Sequence, residues 1–214
     1  MIKPLVSFHR IEKMAKYRNI YMEYIKTLSH DIDNVIIIDV DVRSFSVNGV
    51  VNSVLKCQDK CGSIFANGVT VKSIMGKIYS KIFYDSFAVY EYPLKEKFGF
   101  TDDSLFFTKK NVSNQLRKNK MYPVISAFGG LAVYNYKAIQ NLQYNVMLND
   151  FNNNEAICEH IPFNIGIINL GYKNFISSEM QLIYGSHSFG SILKCYLDKR
   201  VFDFLFKVSR LFKF

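Results

Sequence analysis

Asp39 and Asp41, in the stretch VIIIDVDVRS, are the residues whose type and spacing first suggest chemistry. Four branched apolar residues run straight into two carboxylates one residue apart. Like charges at the end of a buried strand repel each other and lose hydration, a cost that a cation offsets. In an extended segment residues i and i+2 point the same way, so Asp39 and Asp41 would present both carboxylates to one side and Val40 to the other. Mg2+ and Mn2+ favour such oxygen ligands and keep positions open for water or phosphate oxygens, which suits a nucleoside diphosphate. The plainer alternative is that Asp39 caps a turn and Asp41 is exposed.

A second chemical residue lies upstream. Ile11, Met14, Ala15, Met22, Ile25 and Leu28 recur at the spacing of one helix face, and Arg18 sits within that stripe. A guanidinium does not lose its proton to escape burial, so Arg18 must meet an anion, either a structural carboxylate or a ligand phosphate.

The elements that would position these groups follow from pattern. A strand is expected at 35–39, then a turn into a short helix in SFSVNGVVNSVLK. GSIFANGV (62–69) reads as a buried strand ending at Asn-Gly, and KIFYDSFAVYEYP (81–93) as another, with Asp85 amid aromatics. In YPVISAFGGLAVYNYKAI (122–139) a strand meets Gly129-Gly130, where backbone must approach something closely or form a β-bulge, and a further strand follows. Glu159 and His160 stand together before an apolar segment, and His187 lies in a Gly/Ser loop. Strands interleaved with helices argue an α/β chain with a mixed sheet.

Composition narrows the function classes. With 49% hydrophobic residues among 214, the chain is long enough for one sizeable core and is not disordered. No apolar run approaches the roughly 18 residues that cross a bilayer, and the first residues lack a secretory core, so a soluble cytoplasmic protein is expected. Cys57 and Cys61 form a C-x3-C pair with no second pair to complete a zinc site. The NVS at Asn111 is read as a chance sequon in an Asn-rich chain. Lys and Arg number 27 against 18 Asp and Glu, a charge of +9 that invites a polyanionic partner, yet the basic residues are scattered. No repeat or linker marks an internal boundary, so residues 1–214 are read as one domain, alone or as the first part of a longer chain.

The order of these elements resembles the GT-A glycosyltransferases, which use nucleotide sugars on a Rossmann-like, mostly parallel sheet flanked by helices. MAKYRNIYMEYI, DNVIIIDVDV, SIFANGV, FYDSFAVY, SAFGGLAVY and CEHIPFN, in that order, are similar to small glycosyltransferase domains of large algal (chlorella-type) viruses that build capsid glycans. They resemble the fungal capsule mannosyltransferase family more distantly. The resemblance implies that Asp39 and Asp41 hold Mn2+ or Mg2+ against the donor diphosphate, with His187 completing the metal shell. Arg18 would meet the nucleotide or its phosphates, and Gly129 and Gly130 would let backbone lie close to a sugar. CEH stands where many such enzymes carry an acidic pair facing the acceptor. Glu159 would then take the acceptor proton or bind a sugar hydroxyl, with His160 in the usual aspartate position; a buried Glu159–His160 ion pair is the structural alternative. Asp85 would bind sugar hydroxyls. The implied reaction is metal-dependent transfer from a nucleoside diphosphate sugar, a UDP sugar favoured, to a glycan hydroxyl.

The segment 191–214 spaces Leu193, Leu197, Val201, Phe204, Val208 and Leu211 as one helix face beside a basic remainder. It is expected to pack on the domain, with peripheral contact to an anionic membrane as the alternative. Two rival functions use the same features. The charge, 19 Phe and 14 Tyr fit a nucleic-acid-binding domain, but the aromatics fall within apolar segments and no recognised motif accompanies them, so no nucleic-acid partner is expected. A metal-dependent nucleotidyltransferase would use the same carboxylates and differ in releasing or consuming pyrophosphate.

Overall fold

The periodicities translate into a layered architecture. The computed structural model describes residues 4–28, 32–74, 78–91, 120–149 and 152–185. In chain order these form α1 (Pro4–Thr27), β1 (Asn34–Ile38), β2 (Val42–Phe45), α2 (Val47–Lys56), β3 (Cys61–Ile74), β4 (Ile78–Phe83), a 3-10 turn (Ser86–Ala88), β5 (Val89–Glu91), β6 (Met121–Ala127) and β7 (Leu131–Asn135). A short α3 (Tyr136–Ile139), β8 (Met147–Asn149), β9 (Asn152–Ile157), α4 (His160–Asn169) and β10 (Lys173–Tyr184) follow.

Eight strands make one sheet in the order β1-β7-β3-β10-β6-β5, with β2 also on β10 and β4 also on β3. The expected α/β chain with a mixed sheet is observed, but the sheet is not mostly parallel. Among the described residues β3 and β10 pair in parallel, and the other pairings are antiparallel. Two strands that run in the same direction as each other lie antiparallel to the central β3/β10 pair. These strands, β6 and β7, are joined by only Phe128-Gly129-Gly130, and they flank the β3/β10 pair on opposite sides, each antiparallel to it.

Alternation then builds a core on each face. Phe65, Ala132 and Tyr134 enter the cluster that also holds Ala15 and Met22 of α1 and Ile161, Phe163 and Ile167 of α4. Ile64, Ala66, Leu131 and Val133 enter the cluster that holds Val50 of α2. Fully burying a side chain such as Phe65 stabilises the fold by about 1.5–3 kcal/mol. Ser46 caps α2, its hydroxyl accepting the Gly49 N–H at 3.1 Å. A side chain at Gly49 would overlap the Glu179 carbonyl, its Cβ only 2.1 Å from that oxygen, so α2 lies directly on the β10 backbone.

Three expected boundaries move. The strand read at 62–69 runs on to Ile74, because β4 pairs with its second half. The strand read at 81–93 is broken at Tyr84-Asp85, where the chain turns through the 3-10 segment. Leu28, placed on the apolar stripe, lies past the end of α1 and is exposed. Among the described residues no helix is long and apolar enough to cross a membrane. Asn111 and the segment 191–214 lie outside the described residues.

Candidate active site

The cleft of about 540 Å³ between α1 and the sheet gathers most of the residues with chemical potential. Helix α1 supplies Arg10, Ile11, Met14 and Arg18, and the β1–β2 turn supplies Asp39, Val40 and Asp41. Tyr84, Asp85 and Phe87 follow β4, Phe128 ends β6, Cys158, Glu159 and His160 begin α4, and Tyr184 ends β10. Of the residues singled out by sequence, Arg18, Asp39, Asp41, Asp85, Glu159 and His160 are thus brought together. Gly129 and Gly130 do not line the cleft, and His187 lies outside the described residues.

The Asp-Val-Asp segment is not a continuation of the strand. The Val42 N–H donates to the Asp39 carbonyl at 3.2 Å, closing a turn, and the Asp39 N–H donates to the Gly130 carbonyl at 2.8 Å. Asp39 is half-buried and Asp41 exposed, as the plainer sequence reading had it, yet both carboxylates border the same cleft. Gly130 has φ +86°, and a Cβ there would lie 3.3 Å from Val42. The close approach read from Gly129-Gly130 is made to protein: a Cβ on Gly68 would lie 2.7 Å from the Gly129 carbonyl oxygen. The glycine link seats the aspartate turn on the sheet.

Arg18 meets carboxylates. It is only 7% exposed. Its Nε donates to Glu159 Oε1 at 2.9 Å, and Nη2 lies 3.7 Å from Asp39 Oδ1. Its guanidinium carbon sits 5.3 Å from the Phe128 ring centroid and 5.7 Å from that of Tyr144. Burial works against its charge, but Tyr21, Tyr144 and Glu159 outweigh that and hold the guanidinium ionised.

His160 is 2% exposed and stacks on Phe128 with centroids 3.8 Å apart. Burial, and then the Arg18 charge, lower its pKa well below the usual histidine range, so the imidazole is neutral. Its Nε2 lies 3.8 Å from Glu159 Oε1, and neither ring nitrogen has a hydrogen-bond partner. The Glu159–His160 ion pair weighed from sequence therefore does not form; the ionic partner of Glu159 is Arg18.

Burial also raises the carboxyls on the other side. Asp39 is shifted up by burial, which the Arg18 charge opposes and Asp41 and Glu159 reinforce. Asp85 is pushed up to about 6 by burial, with Glu159 and Asp39 adding to the shift and the Phe87 N–H and Arg10 opposing it. Its Oδ1 accepts the Phe87 N–H at 3.2 Å.

Three cleft residues escaped the sequence reading. Tyr84 and Tyr184 stack with centroids 3.4 Å apart, and the Tyr184 hydroxyl donates to Asp41 Oδ2. They are a hundred residues apart, and no local pattern joins them. Arg10 had a visible signal: with Ile11, Met14 and Arg18 it follows the i, i+1, i+4, i+8 spacing of one side of a helix.

An α/β fold with a mixed sheet and a carboxylate-lined cleft frames the comparison with known proteins. The family model described as Cryptococcal mannosyltransferase 1 matches residues 3–182, a span that includes every cleft residue except Tyr184. The chain belongs to this family and is a glycosyltransferase-like domain. No match was found among curated proteins.

Proposed function

We propose that this chain transfers a sugar from a nucleoside diphosphate sugar to a hydroxyl of a glycan. The observation that carries the reading is the convergence of Asp39, Asp41, Asp85 and Arg18 on one cleft in a chain of a mannosyltransferase family. The word mannosyltransferase in that family's description makes GDP-mannose the first donor to offer, ahead of the UDP sugars favoured from sequence. A capsid glycan, the acceptor class implied by the viral resemblance, presents hydroxyls of the required kind.

Two carboxylates at a cleft edge fit a hard divalent cation, which completes its shell with water and phosphate oxygens. Asp39 and Asp41 are the residues that would hold Mg2+ or Mn2+. Among the described residues no third carboxylate, histidine or cysteine joins them in a metal-binding group. When bound, the cation would supply Lewis-acid stabilisation of the leaving diphosphate.

The chain's own groups divide the remaining work. Glu159 is occupied by its 2.9 Å ion pair with Arg18 and serves as the anchor of that guanidinium. Asp85 borders the same cleft and titrates near 6, so it is suited to take the proton of the acceptor hydroxyl at neutral pH. The sequence expectation had Glu159 taking the acceptor proton or binding a sugar hydroxyl, and Asp85 binding sugar hydroxyls. His160 is neutral and stacks on Phe128 at the cleft wall with both ring nitrogens buried, so it shapes the wall and does not present a hydrogen-bonding group to a sugar.

The test is calorimetric titration with GDP-mannose and UDP sugars, in Mn2+ and then in EDTA. Binding that needs the metal and is lost in Asp41→Ala is expected. A folded protein that binds no nucleotide sugar under either condition would overturn the reading.

A further inference from the structure

We infer that Arg10, and not Arg18, is the side chain that meets the anionic diphosphate of the donor; this rests on the donor-site reading above. Both arginines border the cleft from α1. They differ in what already occupies them. Arg18 is buried between two aromatic rings, donates to Glu159 at 2.9 Å and lies 3.7 Å from Asp39, so its one charge already faces two carboxylates. A phosphate reaching Arg18 would meet those carboxylates at close range and be repelled.

Arg10 lies eight residues earlier, about 12 Å along the helix. It is exposed, and among the described residues it makes no ion pair. It lines the same cleft as Tyr84 and Asp85. The charges of the cleft make such a cation necessary. Four carboxylates, Asp39, Asp41, Asp85 and Glu159, outnumber the two arginines, and Arg18 is already engaged by two of them. A diphosphate entering the cleft is repelled by any carboxylate a metal does not neutralise, and among the described residues Arg10 is the cleft cation without an ion pair. A guanidinium also offers paired N–H groups that match two phosphate oxygens, which an ammonium does not.

The test uses the whole chain with Mg2+ and three probes in calorimetry: GDP, UDP and inorganic pyrophosphate. Arg10→Ala is compared with wild type and with Arg10→Lys, each shown by thermal melting to be folded. The expected result is a loss on the order of 10-fold to 100-fold in diphosphate affinity for Arg10→Ala, with partial recovery in Arg10→Lys. Nucleotide binding by Arg10→Ala equal to wild type overturns the inference and leaves the donor reading standing. Wild-type binding of pyrophosphate but of neither nucleotide, lost in Arg10→Ala, supports the anion site and removes the donor reading. If wild type binds none of the three, both fall.

Discussion

Helix α4 borders two buried polar clusters that answer to different rules. At its first turn, Glu159 and His160 join Arg18 and Asp39 in a charged group that opens on the cleft. One turn further, Asn164 donates to Ser126 Oγ at 2.9 Å, and Asn174 donates to the Ile125 and Asn164 carbonyls at 2.8 and 3.1 Å. The second group is neutral and spends its N–H donors on the ends of β6 and α4, which fixes helix to sheet. The first leaves both imidazole nitrogens of His160 unpaired and holds Asp39 at a longer 3.7 Å from Arg18. Each cluster leaves buried polar atoms unpaired, Asn164 Oδ1 and Asn174 Oδ1 in the neutral one and the two His160 nitrogens in the charged one. What separates them is that the first holds ions and borders the cleft, whereas the second ties helix to sheet.

The comparison breaks most sharply at Arg18. Arg18→Met leaves Glu159 buried without its counter-charge and is expected to cost about 3–5 kcal/mol, read as a fall in the denaturant midpoint. Adding Glu159→Gln should recover much of that loss; if the double variant is no more stable than the single one, the pair is not what Arg18 contributes. Asn164→Ala removes one buried donor and strands Ser126, so about 1–3 kcal/mol is expected, with nucleotide binding unchanged. A change in nucleotide affinity there would erase the distinction between the clusters.

Asp85 gives a smaller and pH-dependent effect. Its carboxyl is raised in the folded chain to about 6 from an ordinary 3.8, so the folded state holds that proton more tightly than the unfolded state does. This contribution is complete below pH 4 and is lost as pH rises through 6. In EDTA, Asp85→Asn should therefore gain in melting temperature relative to wild type between pH 4 and 6.5. A constant difference across that range would refute the shift. His160 acts oppositely: buried neutral, it favours the fold above pH 6.5 and loses that as pH falls. Smallest of all, Asp41→Asn at the exposed turn should leave the melting temperature within the range of ordinary surface substitutions, while abolishing metal-dependent nucleotide binding.

What was legible in the sequence follows from the range of the interactions. Arg18 could be placed in the core because helical period alone puts it in line with Ile11 and Met22. The strands at 35 and 62 were legible from equally local patterns, whereas the segment after His160 was read only as apolar. Strand direction was not: it depends on how the three residues after Ala127 carry β7 past β3 and β10, and a Gly-Gly pair looks the same in a bulge or a crossing. Nor could the sequence say that Arg18 would find Glu159 rather than a phosphate, since the partners are 141 residues apart.

Helix α1 carries the cations of the cleft, Arg10 and Arg18, whereas Asp39, Asp41, Asp85 and Glu159 belong to the sheet-bearing body. The cleft is therefore a seam between oppositely charged parts, and on the proposed donor reading its ligands would act on the seam as well as in the reaction. A cation drawn to Asp39 competes with Arg18 and slackens the grip of the body on the helix. An anion arriving beside Arg10 restores it. On that reading, substrate loading would bear directly on the tightness of this one wall.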